Sequence, residues 1–219
     1  MKVAIGSTLS EVFSAFQLTM AFGPICAKVN NKVEGMHFRV YHNKDVEFLD
    51  MHSASASRNY TRTLFFVLCK AVHDCYPKSY VVIDIPVSNG YFVNVDLGRP
   101  LEAADITRIR ERMQAIIDAR MPVRRFEVTT EAAVEMFRTR GDEAKAKLLE
   151  SSGKLYTTYY QIDDYVDYFY GALLTNTSQL YLFGLEPYYD GLLLRIPSAT
   201  DPGVLPEMTR RDKMFDIFK

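Results

Sequence analysis

Few of the side chains that commonly do chemistry in proteins occur in this chain. It has four histidines and three cysteines, which are His37, His42, His52, His73, Cys26, Cys69 and Cys75. Only Cys69 and His73 have a suggestive spacing, because residues four apart share a helix face and both side-chain types bind zinc. Two such residues without further ligands are more often a contact along a helix than a metal site. We therefore predict no metal site.

Signatures of phosphate binding and of nucleophilic catalysis are also absent from the printed sequence. It contains neither G-x-x-x-x-G-K-S/T nor G-x-G-x-x-G, and its later glycines stand singly. A P-loop needs a run of backbone amides and a lysine around the β- and γ-phosphates, and a G-x-S-x-G turn would mark an exposed nucleophilic serine. We expect no catalytic residue and no cofactor in this chain.

Tyrosine is the side chain that still has a functional interpretation. Eight of the 14 tyrosines fall in one third of the chain, namely Tyr156, Tyr159, Tyr160, Tyr165, Tyr168, Tyr170, Tyr188 and Tyr189. Aromatic rings that line a groove can stack on bases or on another planar ligand. Strands also favour aromatic residues, and half-buried tyrosines more often mark a packing surface. We favour the packing interpretation.

The composition indicates a folded protein without a strong electrostatic preference. The 219 residues are 48% hydrophobic and 24% charged, which allows a substantial core and two modest domains. A formal net charge of −1 and a pI near 6.4 do not favour nucleic acid or anionic membranes as partners, although a local basic face is left open. The odd number of cysteines, without C-x-x-C spacing, a secretory signal or a long apolar run, predicts a soluble cytoplasmic protein.

The elements that would position any site are clearest in residues 81–113. Asn89-Gly90 is a pair that tolerates positive φ in a type I′ turn, and it separates apolar runs at 81–87 and 91–97, so a β-hairpin is predicted. The period then becomes helical, with an apolar stripe formed by Ile106, Ile109, Met113, Ile116 and Ile117. We expect this helix to lie on the hairpin.

The segments before and after this unit predict two further parts. Strands are expected at 3–5, around the Asn30-Asn31 turn and at 45–49, and Thr8 with Glu11 forms a capping box for a short helix. The Ser/Ala-rich stretch 52–59 is predicted to be a domain boundary. Further helices are predicted before Pro77, at 130–139, at 143–150 and over 205–219, and further strands at 123–128, 156–162, 165–170, 180–183 and 191–196.

Several blocks of residues carry a resemblance to a known family. The pattern P-V-x-N-G-Y-F-x-x-V-D-L-x-R-x-L begins at Pro86, and R-G-D with Lys145 and then Y-V-D with Gly171 follow in order. These blocks resemble the second N-terminal domain of threonyl-tRNA synthetases, whose editing-type fold is shared with alanyl-type editing proteins. G-S-T-L, A-K-V-N-N and D-V-E-F-L resemble the small β-grasp module called TGS, without its first strand. The resemblance implies an α+β fold, with a TGS-like module at 1–52 and a two-layer α/β editing-like domain at 58–200.

The resemblance also implies where the family's active site would lie. Active members carry H-x-x-x-H on the first helix and C-x-x-x-H later, a set suited to holding a metal or a water. The matching positions in this sequence are Arg62, Phe66, Phe169 and Leu173. These side chains cannot supply that metal or proton chemistry. Lys145 and Asp167 are what the match retains of the pocket, although such residues are more often solvated or paired than functional.

The two modules in this order, followed by a helix, further resemble the N-terminal half of bacterial nucleoside kinases of the uridine kinase type. The blocks concerned are A-K-V-N-N-K-V at 27–33, Y-Y-D-G-L-L-L-R-I-P at 188–197 and D-K-M-F-D-I-F from Asp212. This resemblance implies transfer of phosphate from ATP, with Mg²⁺, to uridine or a similar nucleoside by a P-loop domain that follows residue 219. The chain itself would be a non-catalytic accessory region, and a homo-oligomer is left open.

Two alternatives to the kinase hypothesis remain. The first is a degenerate module derived from a synthetase that associates with RNA or tRNA or binds a small ligand, and retention on tRNA at moderate salt would support it. The second is an active hydrolase of mischarged tRNA or a related ester. The hydrolase ranks last because the sequence offers neither a nucleophile nor a metal site for it.

Overall fold

The computed structural model describes residues 2–208. Within them, five α-helices and twelve short strands in four antiparallel sheets form a mixed α+β fold, so the predicted fold class is confirmed. None of the helices in this part of the chain is long and apolar enough to cross a membrane. The helix predicted over 205–219 lies outside the described residues from residue 209 onward, and residues 205–208 form no helix.

The first part of the chain is rich in short strands. Its elements are β1 (Ser7–Thr8), α1 (Leu9–Ala15), β2 (Cys26–Val29), β3 (Lys32–Gly35), β4 (Arg39–Val40) and β5 (Val46–Leu49). β2 lies between β3 and β5, and β1 pairs with β4. The predicted capping box starts α1, because the Glu11 amide donates to Thr8 Oγ1 at 3.2 Å and the Thr8 amide donates to Glu11 Oε2 at 2.7 Å. The predicted strand at 3–5 is wrong, since pairing begins only after Gly6 turns the chain at φ 85°.

Helix α2 (Ala54–Cys75) is the central element of the fold. Ser53 caps it, with the Ser55 amide donating to Ser53 Oγ at 3.3 Å, and Pro77 prevents its continuation. Within the Ser/Ala stretch, residues 54–59 therefore form the first turns of α2, and 52–53 precede them. Alanine and a serine cap are compatible with helix, and the domain boundary predicted at 52–59 stays a prediction.

The predicted hairpin is present as β6 (Tyr80–Val87) and β7 (Gly90–Asp96). Its two turn residues are Ser88 and Asn89, with φ of 51° and 59°, one position earlier than predicted. Gly90 instead begins β7, where a Cβ atom would lie only 2.5 Å from the Leu194 carbonyl oxygen. The glycine thus allows a close approach between neighbouring strands.

The hairpin belongs to a four-stranded sheet of order β11-β12-β7-β6, completed by β11 (Gly184–Tyr188) and β12 (Gly191–Arg195). The strand predicted at 180–183 is wrong. A 3₁₀ turn at Thr177–Gln179 precedes this segment, and the Tyr60 hydroxyl both donates to the Leu182 carbonyl at 2.8 Å and accepts from the Leu182 amide at 2.9 Å. A side chain therefore replaces the strand partner of Leu182.

Helix α3 (Ala103–Asp118) lies alongside α2, and its predicted apolar stripe enters the same core as Val93 and Val95 of β7. The next elements are β8 (Arg124–Thr129), α4 (Thr130–Thr139), α5 (Glu143–Glu150), β9 (Tyr156–Ile162) and β10 (Tyr165–Asp167). β9 is central in this three-stranded sheet. β10 ends three residues earlier than predicted, where the Tyr168 amide donates to Asp167 Oδ1 at 2.6 Å instead of to a neighbouring strand.

The largest group of buried apolar side chains centres on α2 and α3. It also includes Ile25, Cys26 and Met51 from the first 52 residues. A smaller group lies around Leu9 and Met36. Because the N-terminal residues contribute to both groups, the division into domains at 1–52 and 58–200 stays a prediction.

Candidate functional site

The site implied by the sequence lies where α2 meets the segment that follows β10. Thr63 joins the two, because its hydroxyl donates to the Asn59 carbonyl at 2.8 Å and accepts from the Leu174 amide at 2.9 Å. Arg62 and Phe66 stand one turn apart on α2, beside this contact. The structure therefore brings both pairs of substituted positions to one place.

Apolar side chains fill most of this place. The Phe66 ring is fully buried and meets the Phe169 ring edge to face, with ring centres 5.5 Å apart. The Tyr165 ring lies 5.6 Å from Phe66 on another side, and Leu173 is fully buried nearby in the same core. Closely packed rings offer no lone pair and leave no room for a reactive water.

Arg62 differs from the other three substituted positions because it keeps a polar group at the surface. Its guanidinium packs so closely on Gly171 that a Cβ atom there would lie 2.8 Å from Arg62 Cζ. Gly171 has φ of 104°, a conformation that glycine adopts freely. Arg62 Nη1 donates to Asn59 Oδ1 at 3.0 Å.

The two predicted pocket remnants, Lys145 and Asp167, do come together. Lys145 Nζ lies 2.7 Å from Asp167 Oδ1 and 2.9 Å from Asp142 Oδ2. Burial on its own would lower the pKa of Lys145, but the two carboxylates outweigh it and raise the pKa. A lysine held charged in this way is a poor general base. The pair therefore favours a structural ion pair over a catalytic one.

Cys69 lies beside this ion pair, yet it does not form a metal face with His73. Burial and the Asp167 carboxylate raise the pKa of the Cys69 thiol to about 12, so the thiol stays protonated and unreactive. The His73 ring packs instead against Tyr165, with ring centres 5.4 Å apart. In residues 2–208 no three His, Cys, Asp or Glu side chains gather in a way that could hold a metal ion. The expectation that the chain binds no metal stays a prediction.

A buried lysine close to this site was missed by the sequence analysis. Lys70 on α2 is 1% exposed, and its Nζ lies 3.2 Å from both Asp74 Oδ1 and Asp164 Oδ1. Arg112 of α3 contacts Asp74 at 2.7 Å. The network ties α2 to α3 and to the turn between β9 and β10. The spacing of Lys70 and Asp74 was a weak signal, since helix-surface pairs share it.

An open cleft of about 670 Å³ lies beside the second turn of α2. Its walls come from α2 at Ser57 and Thr61, from the hairpin turn at 86–91, and from the segment after β12 at 196–198 with Thr200 and Pro206. Tyr91 forms part of the wall, and its ring is held edge to face against Phe65 at 4.8 Å. The cleft therefore presents hydroxyl, amide and ring surfaces together. No sequence pattern located it, because three distant segments form it.

The eight clustered tyrosines do not line one groove. Tyr160 and Tyr188 are buried in separate parts of the core, and Tyr159 stacks on Phe126 with ring centres 5.1 Å apart. Tyr156 and Tyr170 are exposed, at 62% and 77%. The packing interpretation describes most of the cluster, and Tyr156 and Tyr170 remain as surface rings.

The fold agrees with an α+β domain of the threonyl-tRNA synthetase type, and sequence comparison supports the same relation. The chain is 26% identical over 178 residues to a threonine–tRNA ligase of Desulforamulus reducens, which covers 81% of this chain and 28% of that protein. It is 26% identical over 168 residues to the ligase of Clostridium perfringens, covering 76% and 26%. It is 27% identical over 177 residues to the threonine–tRNA ligase of Syntrophomonas wolfei, and this alignment covers 80% of this chain and 28% of that protein. No protein-family model matches the chain.

These relatives correct the functional prediction. The chain spans about a quarter of the length of the curated relatives it matches, and those relatives are ligases rather than kinases. The prediction of an accessory half of a uridine kinase, partnered by a P-loop kinase domain, is therefore wrong. The low ranking of nucleic acid as a partner is also wrong. The blocks at 27–33 and 188–197 fall largely on the hairpins β2–β3 and β11–β12, so their residues are explained by turn and strand formation. The block from Asp212 lies outside the described residues.

Proposed function

We propose that this chain is a non-hydrolytic RNA-associated module of synthetase origin, which holds the end of a tRNA in the cleft between α2 and the β6–β7 hairpin. The observation that carries the proposal is the contrast between two neighbouring sites. Phe66 and Phe169 pack the place where ligands of a reactive centre would stand, whereas the cleft beside it stays open. Binding without chemistry is the function that this combination supports best.

The names of the relatives supply the class of nucleic acid. Proteins named threonine–tRNA ligase act on tRNA by that name, and alignments with them cover about four fifths of this chain. The cleft offers Tyr91 for stacking, and Ser57, Thr61 and Asn89 for hydrogen bonds to a ribose or a base edge. The proposal needs no metal or other cofactor, and the cytoplasmic location expected from the cysteines stays a prediction.

The test measures binding of labelled tRNA by fluorescence anisotropy at 50–200 mM salt, together with release of amino acid from a mischarged tRNA. We expect saturable binding and no release above the rate in buffer. Thr61→Trp should fill the cleft and weaken binding at least tenfold. Thr107→Trp, on the exposed side of α3, is the matched control and should bind as the wild type does. Equal binding by the Thr61 variant, or no binding at low salt, would contradict the proposal.

A free nucleotide is a second candidate ligand, and the size of the cleft favours it. A volume of about 670 Å³ lies within the range of small-molecule pockets, roughly 300–1,000 Å³. Competition distinguishes the two ligands. If adenosine monophosphate binds at micromolar concentration and tRNA does not displace it, the module binds small ligands rather than RNA.

A further inference from the structure

Two arginines stand on α2 without an acidic partner. Arg58 and Arg62 are four residues apart and therefore neighbours on one helix face, an arrangement in which like charges repel each other. Among residues 2–208, no carboxylate lies within ion-pair distance of either side chain, although several other arginines there are paired. A bound anion would relieve this repulsion.

Arg62 is held in a fixed position with most of its donors unused. An arginine has five N–H donors, and within the described part of the chain Arg62 uses one of them, towards Asn59 Oδ1 at 3.0 Å. The close contact with the backbone of Gly171 restricts its rotation. Burial, together with Arg58, lowers the pKa of Arg62, and Tyr160, Tyr170 and Tyr91 offset only part of this lowering. A partly desolvated guanidinium that lacks a counterion is a strong site for an oxyanion.

Asn59 supports the same conclusion from the other end of the hydrogen bond. It is 4% exposed, and its Nδ2 has no hydrogen-bond partner among the residues that the structure describes. A buried amide without a partner costs free energy, and native proteins retain few such groups. Asn59 thus orients the guanidinium of Arg62 through Oδ1, and its Nδ2 is enclosed by protein without a partner among the described residues.

The arginine pair adjoins the cleft. Thr61, next to Arg62 in the chain, lines the cleft, and so does Tyr91, which acts electrostatically on Arg62. Tyr170 also acts electrostatically on Arg62, and its exposed ring lies 5.2 Å from Lys154 Nζ. A ligand that extends from the cleft to Arg62 would therefore meet a cation that has an exposed aromatic ring near it.

We propose that Arg62, with Arg58, forms an anion subsite at the rim of the cleft, which takes a phosphate group of the nucleotide bound there. This inference rests on the proposed function and adds a phosphate-binding role for Arg62. Arg62 stands where the family that the sequence resembles has a histidine. Arg62 binds the phosphate with two donors, Arg58 adds charge from the exposed side, and Tyr170 is available for stacking by the next base.

The experiment compares adenosine monophosphate with adenosine, and then uses a labelled single-stranded RNA hexamer. Adenosine monophosphate should raise the melting temperature of the wild type more than adenosine does. In the Arg62→Gln variant, adenosine monophosphate should raise the melting temperature no more than adenosine does. The affinity of this variant for the hexamer should be about tenfold lower. The slope of log K against log salt should fall in magnitude by about 0.7, the change expected for one phosphate contact with a single strand. Arg62→Lys should retain the slope.

One control and one further subsite variant separate binding from folding. Arg110→Gln removes the same charge from the exposed face of α3 and should leave every value unchanged. Arg58→Gln alters an exposed side chain without disturbing the contact between Arg62 and Gly171. It should reduce the magnitude of the salt slope without lowering the melting temperature of the free protein.

The outcomes distinguish the two proposals. If the hexamer binds and Arg62→Gln binds it with the same affinity and slope, the subsite is wrong and the proposed function stands. If the rise in melting temperature caused by adenosine monophosphate depends on Arg62, but neither the tRNA nor the hexamer binds, the subsite stands and the RNA-associated function is wrong. Equal shifts of the wild type by adenosine and its monophosphate would overturn the subsite.

Discussion

Phenylalanine at positions 66 and 169 changes the physics of the site as well as its chemistry. The buried Phe66 ring and the half-buried Phe169 ring form an edge-to-face pair that contributes dispersion contacts, where polar ligands would retain water. Lys145 and Asp167 then have no reacting group to serve, and they pair with each other. The positions that would support a reaction contribute to the stability of the core instead.

This change predicts a large cost for emptying the site. Phe66→Ala should lower the free energy of unfolding by about 3–5 kcal/mol, because it leaves a cavity among Phe169, Tyr165 and the surrounding core. Urea denaturation measures the loss. Leu148→Ala, at a 56% exposed position on α5, is the control and should change stability by less than about 0.5 kcal/mol. A small effect of Phe66→Ala would show that the site is loosely packed.

The ion pair of Lys145 predicts a stability effect at alkaline pH. Because its pKa in the folded state is raised, the stabilisation is fully present below the pKa of about 10.4 in the unfolded state, and it is lost as the pH rises through the higher folded value. The difference in unfolding free energy between wild type and Lys145→Met should therefore be constant from pH 7 to 9 and shrink above pH 10. Lys147→Met, at an exposed neighbouring position, should show no such trend. A difference that stays constant to pH 11.5 would contradict the assignment.

Single residues could be predicted from the sequence where local spacing determined their neighbours. Arg62 and Phe66 fall on one helix face whatever the fold, and the Y-V-D block located Phe169 and Leu173 relative to them. Lys70 could not be recognised, since Asp164 lies 94 positions away in the chain. Arg58 and Arg62 were visible as a pair, but only the structure shows that no described carboxylate neutralises them.

The β6–β7 hairpin shows how an element can be predicted correctly for a partly wrong reason. Asn-Gly between apolar runs is a strong hairpin signal, and the hairpin forms. The turn nevertheless uses Ser88 and Asn89, while Gly90 is needed where the backbone of β12 approaches β7. Sequence patterns report local turn preferences, and they do not report which neighbouring strand will come close.

Two substitutions in the hairpin distinguish these roles. Gly90→Ala should cost about 1–3 kcal/mol of stability, because the new Cβ would overlap the Leu194 carbonyl and separate β7 from β12. Asn89→Gly should change stability little, since glycine tolerates its φ of 59°. Thermal unfolding of both variants measures the contrast. If Asn89→Gly were the more harmful change, the turn assignment would be incorrect.

The failed strand at 180–183 has a physical cause of the same kind. Its residues have strand propensity, but Tyr60, which is 122 positions away, occupies both backbone hydrogen-bonding groups of Leu182. The capping interactions of Asn176 and Gln179 likewise take up the preceding turn. Propensity could not anticipate that a buried hydroxyl would replace a strand partner.

At the scale of the whole molecule, the N-terminal strands are connected to the rest by specific contacts. His37 Nε2 lies 2.8 Å from the Val123 carbonyl oxygen, and the Gln179 side chain donates to the Pro24 carbonyl at 3.2 Å. Gly35 of β3 packs directly on Ala172, in the segment that also carries Phe169 and Leu173. The position of this segment against α2 therefore depends on the N-terminal part of the chain.

A pair of compensating substitutions tests this coupling. A Cβ at residue 35 would lie 2.7 Å from the Ala172 Cβ, and neither atom belongs to a flexible side chain, so Gly35→Ala should cost about 1–3 kcal/mol and displace the 169–174 segment. Ala172→Gly removes the opposing methyl group, so the double variant should recover most of the loss, with a coupling energy of about 1 kcal/mol or more. Urea denaturation measures the free energy of unfolding of the wild type, the two single variants and the double variant. The rise in melting temperature that adenosine monophosphate causes in each of them reports whether the segment has moved near Arg62. Strictly additive effects would show that the N-terminal part does not press on this segment in solution, and the segment would then be positioned by Thr63 and the α2 contacts alone.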